Sequence, residues 1–165
     1  MLQVLKKTQP DEVYNLAGQT SVGLSFEQPV ETLESIAVGT LNILEAIRFM
    51  GEPIKFYNAA SSEVFGDTKG AAAVETTPFS PRSPYAVAKA TAFWEVANYR
   101  EAYGLFACSG ILFNHDSPLR PERFVTQKRP VPVGLPQGSR ISCIWGILIF
   151  SGIGVGLRTM LSLCI

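Results

Sequence analysis

Between residues 11 and 114 three short apolar runs alternate with two long helical ones, and each helical run is stopped by a glycine. That alternation constrains the fold more than any other feature of the chain. "DEVYNLAG" (11–18) reads as a short buried strand through Val13, Tyr14 and Leu16 that opens into small residues. "PVETLESIAVGTLNILEAIRFMG" (29–51) sets Ile36, Thr40, Ile43, Leu44 and Ile47 at helical spacing. Acids lie near its start, Arg48 near its end, and Gly51 follows as a stop. "IKFYNAASS" is a second strand, then a polar loop rich in Gly and Pro runs from Gly66 to Pro84. "YAVAKATAFWEVANYREAYG" is a second helix ending at Gly104, and "LFACSGILFN" a third strand. Strands joined through helices predict a parallel sheet of the α/β class. In such sheets ligands gather beyond the carboxyl ends of the strands.

The residues with chemical potential stand at those ends. Tyr85 and Lys89 are four apart at a helix start, so they share one helical face. A lysine ammonium beside a tyrosine favours the phenolate, and the helix N-terminus adds to that, which suits Tyr85 to general acid/base work. Alone, this spacing describes many ordinary helices with a half-buried Tyr and a solvated Lys. Ser61, Ser62 and Glu63 follow the second strand; a serine pair there is often turn chemistry only. Together, a strand-end Ser, the Tyr and the Lys match the pattern of short-chain dehydrogenases/reductases, in which the Ser hydroxyl and the Tyr share a reacting alcohol.

Composition excludes several classes. Fourteen basic and fourteen acidic residues give zero formal net charge, so no polyanion or nucleic-acid surface is indicated. A single histidine, His115, argues against a metal cluster. Three cysteines without a CxxC pair suit a reducing cytosol, and the first residues lack the apolar run of a secretory signal.

A closer resemblance rests on longer stretches. "NLAGQTSV", "VGTLNILEAIR", "SSEVFG", "TTPFSPRSPYAVAKATAFWEVANYREAYG" and "GILFNHDSPLRPERFVTQK" together resemble the GDP-mannose 4,6-dehydratase family, a nucleotide-sugar branch of the extended short-chain dehydrogenases/reductases. The likeness runs from Pro10 to about Lys128. It implies a Rossmann-like, NAD(P)-binding parallel-sheet fold, NADP as cofactor, GDP-mannose as substrate, and a homo-oligomer in the full-length family. It further implies a cytoplasmic lyase feeding GDP-fucose or GDP-rhamnose synthesis, with no nucleic-acid or membrane partner and no metal. By the same resemblance Ser61 (Thr in the family), Glu63, Tyr85 and Lys89 are catalytic. Leu16, Ala17, Gly18, Gln19, Thr20, Lys89, His115 and Arg120 meet the cofactor, and Ser62, Asn114, Val125 and Lys128 the sugar nucleotide. Glu31 stands near where the family often has a cofactor-contacting Tyr. A nucleotide-sugar epimerase or reductase, or a non-catalytic interaction fragment, are the alternatives.

The family opens with a strand and a Gly-rich turn that cradles the pyrophosphate. Residues 1–128 therefore read as a partial domain lacking the first βαβ unit, with little activity expected of the chain alone. From Pro130 onward the only charged residues are Arg140 and Arg158. "ISCIWGILIFSGIGVGL" (141–157) has 17 uncharged residues, short for a membrane span, and Gly152, Gly154 and Gly156 miss the G-x-G-x-x-G spacing. Gly152 to Met160 can be written in codons that, regrouped by one base, read D-W-G-W-A-P-D-Y, close to the family's downstream sequence. Residues 129–165 are therefore expected to be a frame-shifted tail in place of a substrate domain.

Overall fold

A computed structural model describes residues 1–113. Its elements run α1 (Leu2–Thr8), β1 (Glu12–Asn15), α2 (Val22–Glu27), α3 (Pro29–Leu33), one π-helical turn (Glu34–Val38) and α4 (Gly39–Met50). Then come β2 (Lys55–Ser61), a 3-10 turn (Ser62–Phe65), α5 (Pro84–Tyr103) and β3 (Ala107–Leu112). The strands pair in the order β1-β2-β3 and both pairings are parallel, as the alternation of elements predicts. Register sets Asn15 opposite Asn58, and Asn58 opposite Ser109.

Period-two alternation sorts the strand residues onto two faces. On one face Phe56 and Ala107 pack with Ile43, Leu44 and Ile47 of α4, Val96 and Tyr99 of α5, and Leu5 of α1. Phe56 is wholly buried, and removing a side chain of that size from water stabilises the fold by roughly 1.5–3 kcal/mol. On the other face Tyr57, Ala59 and Cys108 cluster with Tyr14 and Leu112. Gly110 is required there, because a Cβ on it would fall 2.2 Å from the Tyr57 hydroxyl.

Both helical stops behave as expected: Gly51 and Gly104 take left-handed conformations, with φ of 69° and 68°. Two boundaries differ from the sequence reading. The ladder of β1 ends at Asn15, so Leu16 lies beyond the strand and is 66% exposed. The short helix α2 has no counterpart in that reading; Leu24 and Phe26 on it are exposed, so it has no apolar stripe to betray it. Ser21 caps it, accepting the Leu24 N–H at 3.3 Å.

Candidate active site

Helix α5 begins where its sequence says a helix should. Ser83 Oγ accepts the Ala86 N–H at 3.1 Å, and Pro84 occupies the first turn. Tyr85 therefore opens the helix with Lys89 one turn on, and both are buried, at 9% and 8% exposure. Lys89 Nζ lies 5.9 Å from the centre of the Tyr85 ring and donates a 2.8 Å hydrogen bond to the carbonyl of Ala59. Burial pushes the Lys89 ammonium down from its ordinary pKa. The Tyr85 ring packs with Ile36, Ala88, Ala92 and Val22.

Ala59 lies two residues before the end of β2, so the Lys89 bond fixes the start of α5 against that strand end. Ser61 is the strand's last residue, and its Oγ accepts the Glu63 N–H at 3.3 Å, capping the 3-10 turn. Ser61, Ser62 and Glu63 are each half-buried. Ser62 and Glu63 border an open pocket with Phe65, Gly66, Ala73 and Phe113. Ser61, Tyr85 and Lys89 do not line that pocket. Gly66 closes the turn with φ 62°; a Cβ there would meet the Ser80 carbonyl at 2.1 Å. The loop is held in return by Ser80 N–H donating to Val64 O at 2.8 Å.

The residues Leu16 to Thr20 form a loop beyond the carboxyl end of β1. Leu16, Ala17 and Thr20 are exposed. Ala17 N–H donates to Asn15 Oδ1 at 3.3 Å, and Gln19 N–H to Ser35 Oγ at 3.4 Å. The Gln19 amide donates to Ser21 O at 2.8 Å and Thr32 Oγ1 at 3.2 Å, and accepts the Ser21 N–H. Gly18 has φ of 116°, and a Cβ on it would stand 2.8 Å from Ile36 Cγ1. Only glycine passes there without displacing the helix beneath.

The structure thus gathers Ser61, Ser62, Glu63, Tyr85 and Lys89 around the end of β2, and Leu16 to Thr20 around the end of β1. Asn114, His115, Arg120, Val125 and Lys128 lie outside the described residues, as does the tail. Among the described residues no group of His, Cys, Asp or Glu is placed to hold a metal ion, and no helix is long and apolar enough to cross a membrane. A polar ladder went unread in the sequence. Asn15 Nδ2 donates to Asn58 Oδ1 at 3.1 Å and to Thr40 Oγ1 at 3.0 Å, and Asn58 Nδ2 reaches Ser109 Oγ at 3.5 Å. Its signal was an asparagine inside the otherwise apolar run "FYNAA". Chemically, the strand end offers a hydroxyl and a carboxylate, and the helix start a phenol with a desolvated ammonium below it. That set suits proton transfer at a carbon-bound alcohol.

Comparison with known proteins gives a consistent picture. A family model described as GDP-mannose 4,6 dehydratase matches residues 1–135. The GDP-mannose 4,6-dehydratase of Vibrio cholerae serotype O1 is 55% identical over 130 residues, covering 78% of this chain and 35% of that protein. GDP-mannose 4,6 dehydratase 2 of Arabidopsis thaliana is 58% identical over 123 residues, covering 72% and 33%. The chain therefore spans about a third of the length of the curated relatives it matches. Among solved structures, RMD from Pseudomonas aeruginosa complexed with NADPH superposes with a TM-score of 0.66 at 34% identity, over 70% of this chain and 40% of that one. The UDP-glucose 4-epimerase of Thermus thermophilus, in complex with NAD, gives 0.60 at 34% identity, over 66% and 34%.

Proposed function

The chain belongs to the GDP-mannose 4,6-dehydratase family, and from that premise we propose that it carries the catalytic segment of an NADP-dependent dehydration of GDP-mannose to GDP-4-keto-6-deoxymannose. The observation that carries the reading is the bond from Lys89 to Ala59 O, which holds the Tyr85 end of α5 against the strand end bearing Ser61 and Glu63.

The residues present fit a dinucleotide. Gly18 packs the loop after β1 onto Ile36, and the exposed Leu16, Ala17 and Thr20 leave a surface for it. Leu16, Ala17, Gly18, Gln19, Thr20 and Lys89 would hold NADP, together with His115 and Arg120. When bound, NADP supplies a hydride acceptor that later gives the hydride back. Tyr85 takes the proton of the sugar C4 hydroxyl, and Ser61 hydrogen-bonds the same oxygen. A ketone at C4 acidifies the C5 proton, which Glu63 takes; of the two protons then held by Tyr85 and Glu63, one leaves with the C6 hydroxyl as water and the other returns to C5 as C6 receives the hydride. Ser62, Asn114, Val125 and Lys128 would bind the sugar nucleotide on the same reading. The full-length enzyme is cytoplasmic and homo-oligomeric on this reading. On the same reading residues 129–165 are a frame-shifted tail in place of a substrate domain, which the nucleotide sequence of the gene would test.

A 4-epimerase is the second reading, favoured by the superposition on such an enzyme. It needs the Tyr and Ser but no carboxylate beside them, so Glu63 separates the two. The test is a chimera in which residues 10–128 replace the matching segment of the Vibrio cholerae relative, assayed with GDP-mannose. A 4-keto-6-deoxy product is expected, lowered roughly 10²- to 10⁴-fold by Tyr85→Phe or Glu63→Gln. A 4-epimer as sole product would sink the dehydratase reading. The 165-residue chain alone should turn over little or not at all.

A further inference from the structure

The helical run from Pro29 to Met50 is wider for one turn, where the Gly39 N–H reaches back five residues to Glu34 O. Thr32, Ile36, Thr40 and Leu44 form one row at four-residue steps among its buried residues, which also include Ala37, Ile43, Ala46 and Ile47. In a plain α-helix each such step turns a side chain about 40° beyond a full turn, so the stripe would wander off one face. A π turn absorbs the excess, and turns of this kind gather at functional sites.

What the stripe faces is the loop Leu16–Thr20. Thr40 Oγ1 donates to Ile36 O at 2.7 Å and accepts from Asn15 Nδ2 at 3.0 Å. Asn15 in turn accepts the Ala17 N–H through Oδ1 at 3.3 Å. One turn earlier, Ser35 Oγ and Thr32 Oγ1 hold the backbone and side chain of Gln19. Between them the Ile36 side chain lies under Gly18 and packs in the same cluster as Tyr85. One helical segment therefore touches both the loop and the tyrosine.

We propose that Thr40 is a positioning residue: through Asn15 it fixes Ala17, and with Ser35 it sets the loop Leu16–Thr20 relative to Tyr85. The consequence for cofactor placement rests on the reading of that loop given above; the anchorage itself does not. Neither Thr40 nor Asn15 need touch a ligand for this. Loss of the Thr40 hydroxyl leaves Asn58 Oδ1 as the Asn15 amide's one remaining acceptor of the two, so the amide is held less firmly and its bond from the Ala17 N–H weakens while the strand ladder stays intact.

Residue-resolved amide exchange on the full 165-residue chain tests it. Thr40→Val should speed exchange at Ala17 roughly two- to tenfold, the size of one net hydrogen bond. Amides of Phe56 and Asn58 within β2 should not change, and Thr40→Ser should restore the loop. Ser35→Ala, on an exposed position that cannot unfold the core, should speed Gln19 alone. Unaltered loop exchange in Thr40→Val, a uniform rise that includes β2, failure of Thr40→Ser to restore protection, or an unmoved Gln19 in Ser35→Ala would each overturn the proposal. Added NADPH should slow the loop amides in the unsubstituted chain. If it does not while the Thr40 effect stands, the cofactor reading fails and the anchorage survives.

Discussion

Lys89 Nζ donates to the carbonyl oxygen of Ala59 at 2.8 Å, joining the second turn of α5 to the last residues of β2. The ammonium is desolvated, and burial alone pushes its pKa below the 10.5 of an ordinary lysine. Between the lowered folded value and 10.5 the unfolded chain binds more protons than the native one. Stability therefore rises with pH across that window. Lys89→Met should remove the rise. Urea denaturation across pH values up to 10.5 checks it, and equal slopes for the two proteins would count against a buried ammonium.

Much of this site was legible because each part is a local signal. Tyr85 and Lys89 share a face by spacing, Ser83 and Pro84 mark the helix start, and Ser61 to Glu63 follow an apolar run. Thr40 was legible only as a member of a buried stripe, since four residues separate it from both Ile36 and Leu44. That its hydroxyl holds Asn15 depends on contacts 25 residues apart in the chain. Asn58 raises the same difficulty: its partners Asn15 and Ser109 come from register between strands, 43 and 51 residues away. Leu16 reads as part of the buried strand with Val13 and Tyr14, yet the ladder that would bury it ends one residue earlier. The π turn was hidden because four-residue spacing also occurs in a drifting α-helix.

Glu95, midway along α5, has a carboxylate oxygen sealed from water that meets no hydrogen-bond donor among the described residues. Burial pushes its pKa up from 4.5 to about 7. The native state thus holds this proton more tightly than the unfolded chain does, so stability falls as pH rises from 4.5 to about 7 and levels off above that. The side chain is partly solvated, so the loss is on the order of 1 kcal/mol after screening. Glu95→Gln should flatten this slope and raise the thermal midpoint at pH 8 by about a few degrees. A midpoint that keeps the wild-type pH dependence would rule the account out.

Gly18 and Gly51 both have positive φ, 116° and 69°, but differ in surroundings. A Cβ at Gly18 meets Ile36 Cγ1 at 2.8 Å; one at Gly51 meets nothing within 4 Å. Gly51→Ala should cost only the backbone penalty, roughly 1 kcal/mol. Gly18→Ala adds a clash with a buried residue, for a total of roughly 2–4 kcal/mol. Chemical denaturation of the pair isolates the steric part, and equal losses would show that the loop yields freely.

Asn58 is 2% exposed and stands in the middle strand, accepting from Asn15 and donating to Ser109. Asn58→Asp keeps the shape and replaces a donor with an ionisable group. When ionised, the carboxylate still accepts from Asn15 but is buried without a cation among these partners. At pH 7 the variant should be less stable than the parent by about 3 kcal/mol. Burial raises the folded pKa of such a carboxyl above the ordinary value of about 3.9. Its destabilising effect therefore grows as pH climbs from about 4 through the raised folded value. Near pH 4 the protonated acid can again donate toward Ser109, and the gap should narrow to about 1 kcal/mol. The Glu95 slope is common to both proteins and cancels in the difference. A gap that stays constant from pH 4 to pH 7 would mean that the middle of the sheet admits water or a counter-charge, contrary to the burial of Asn58.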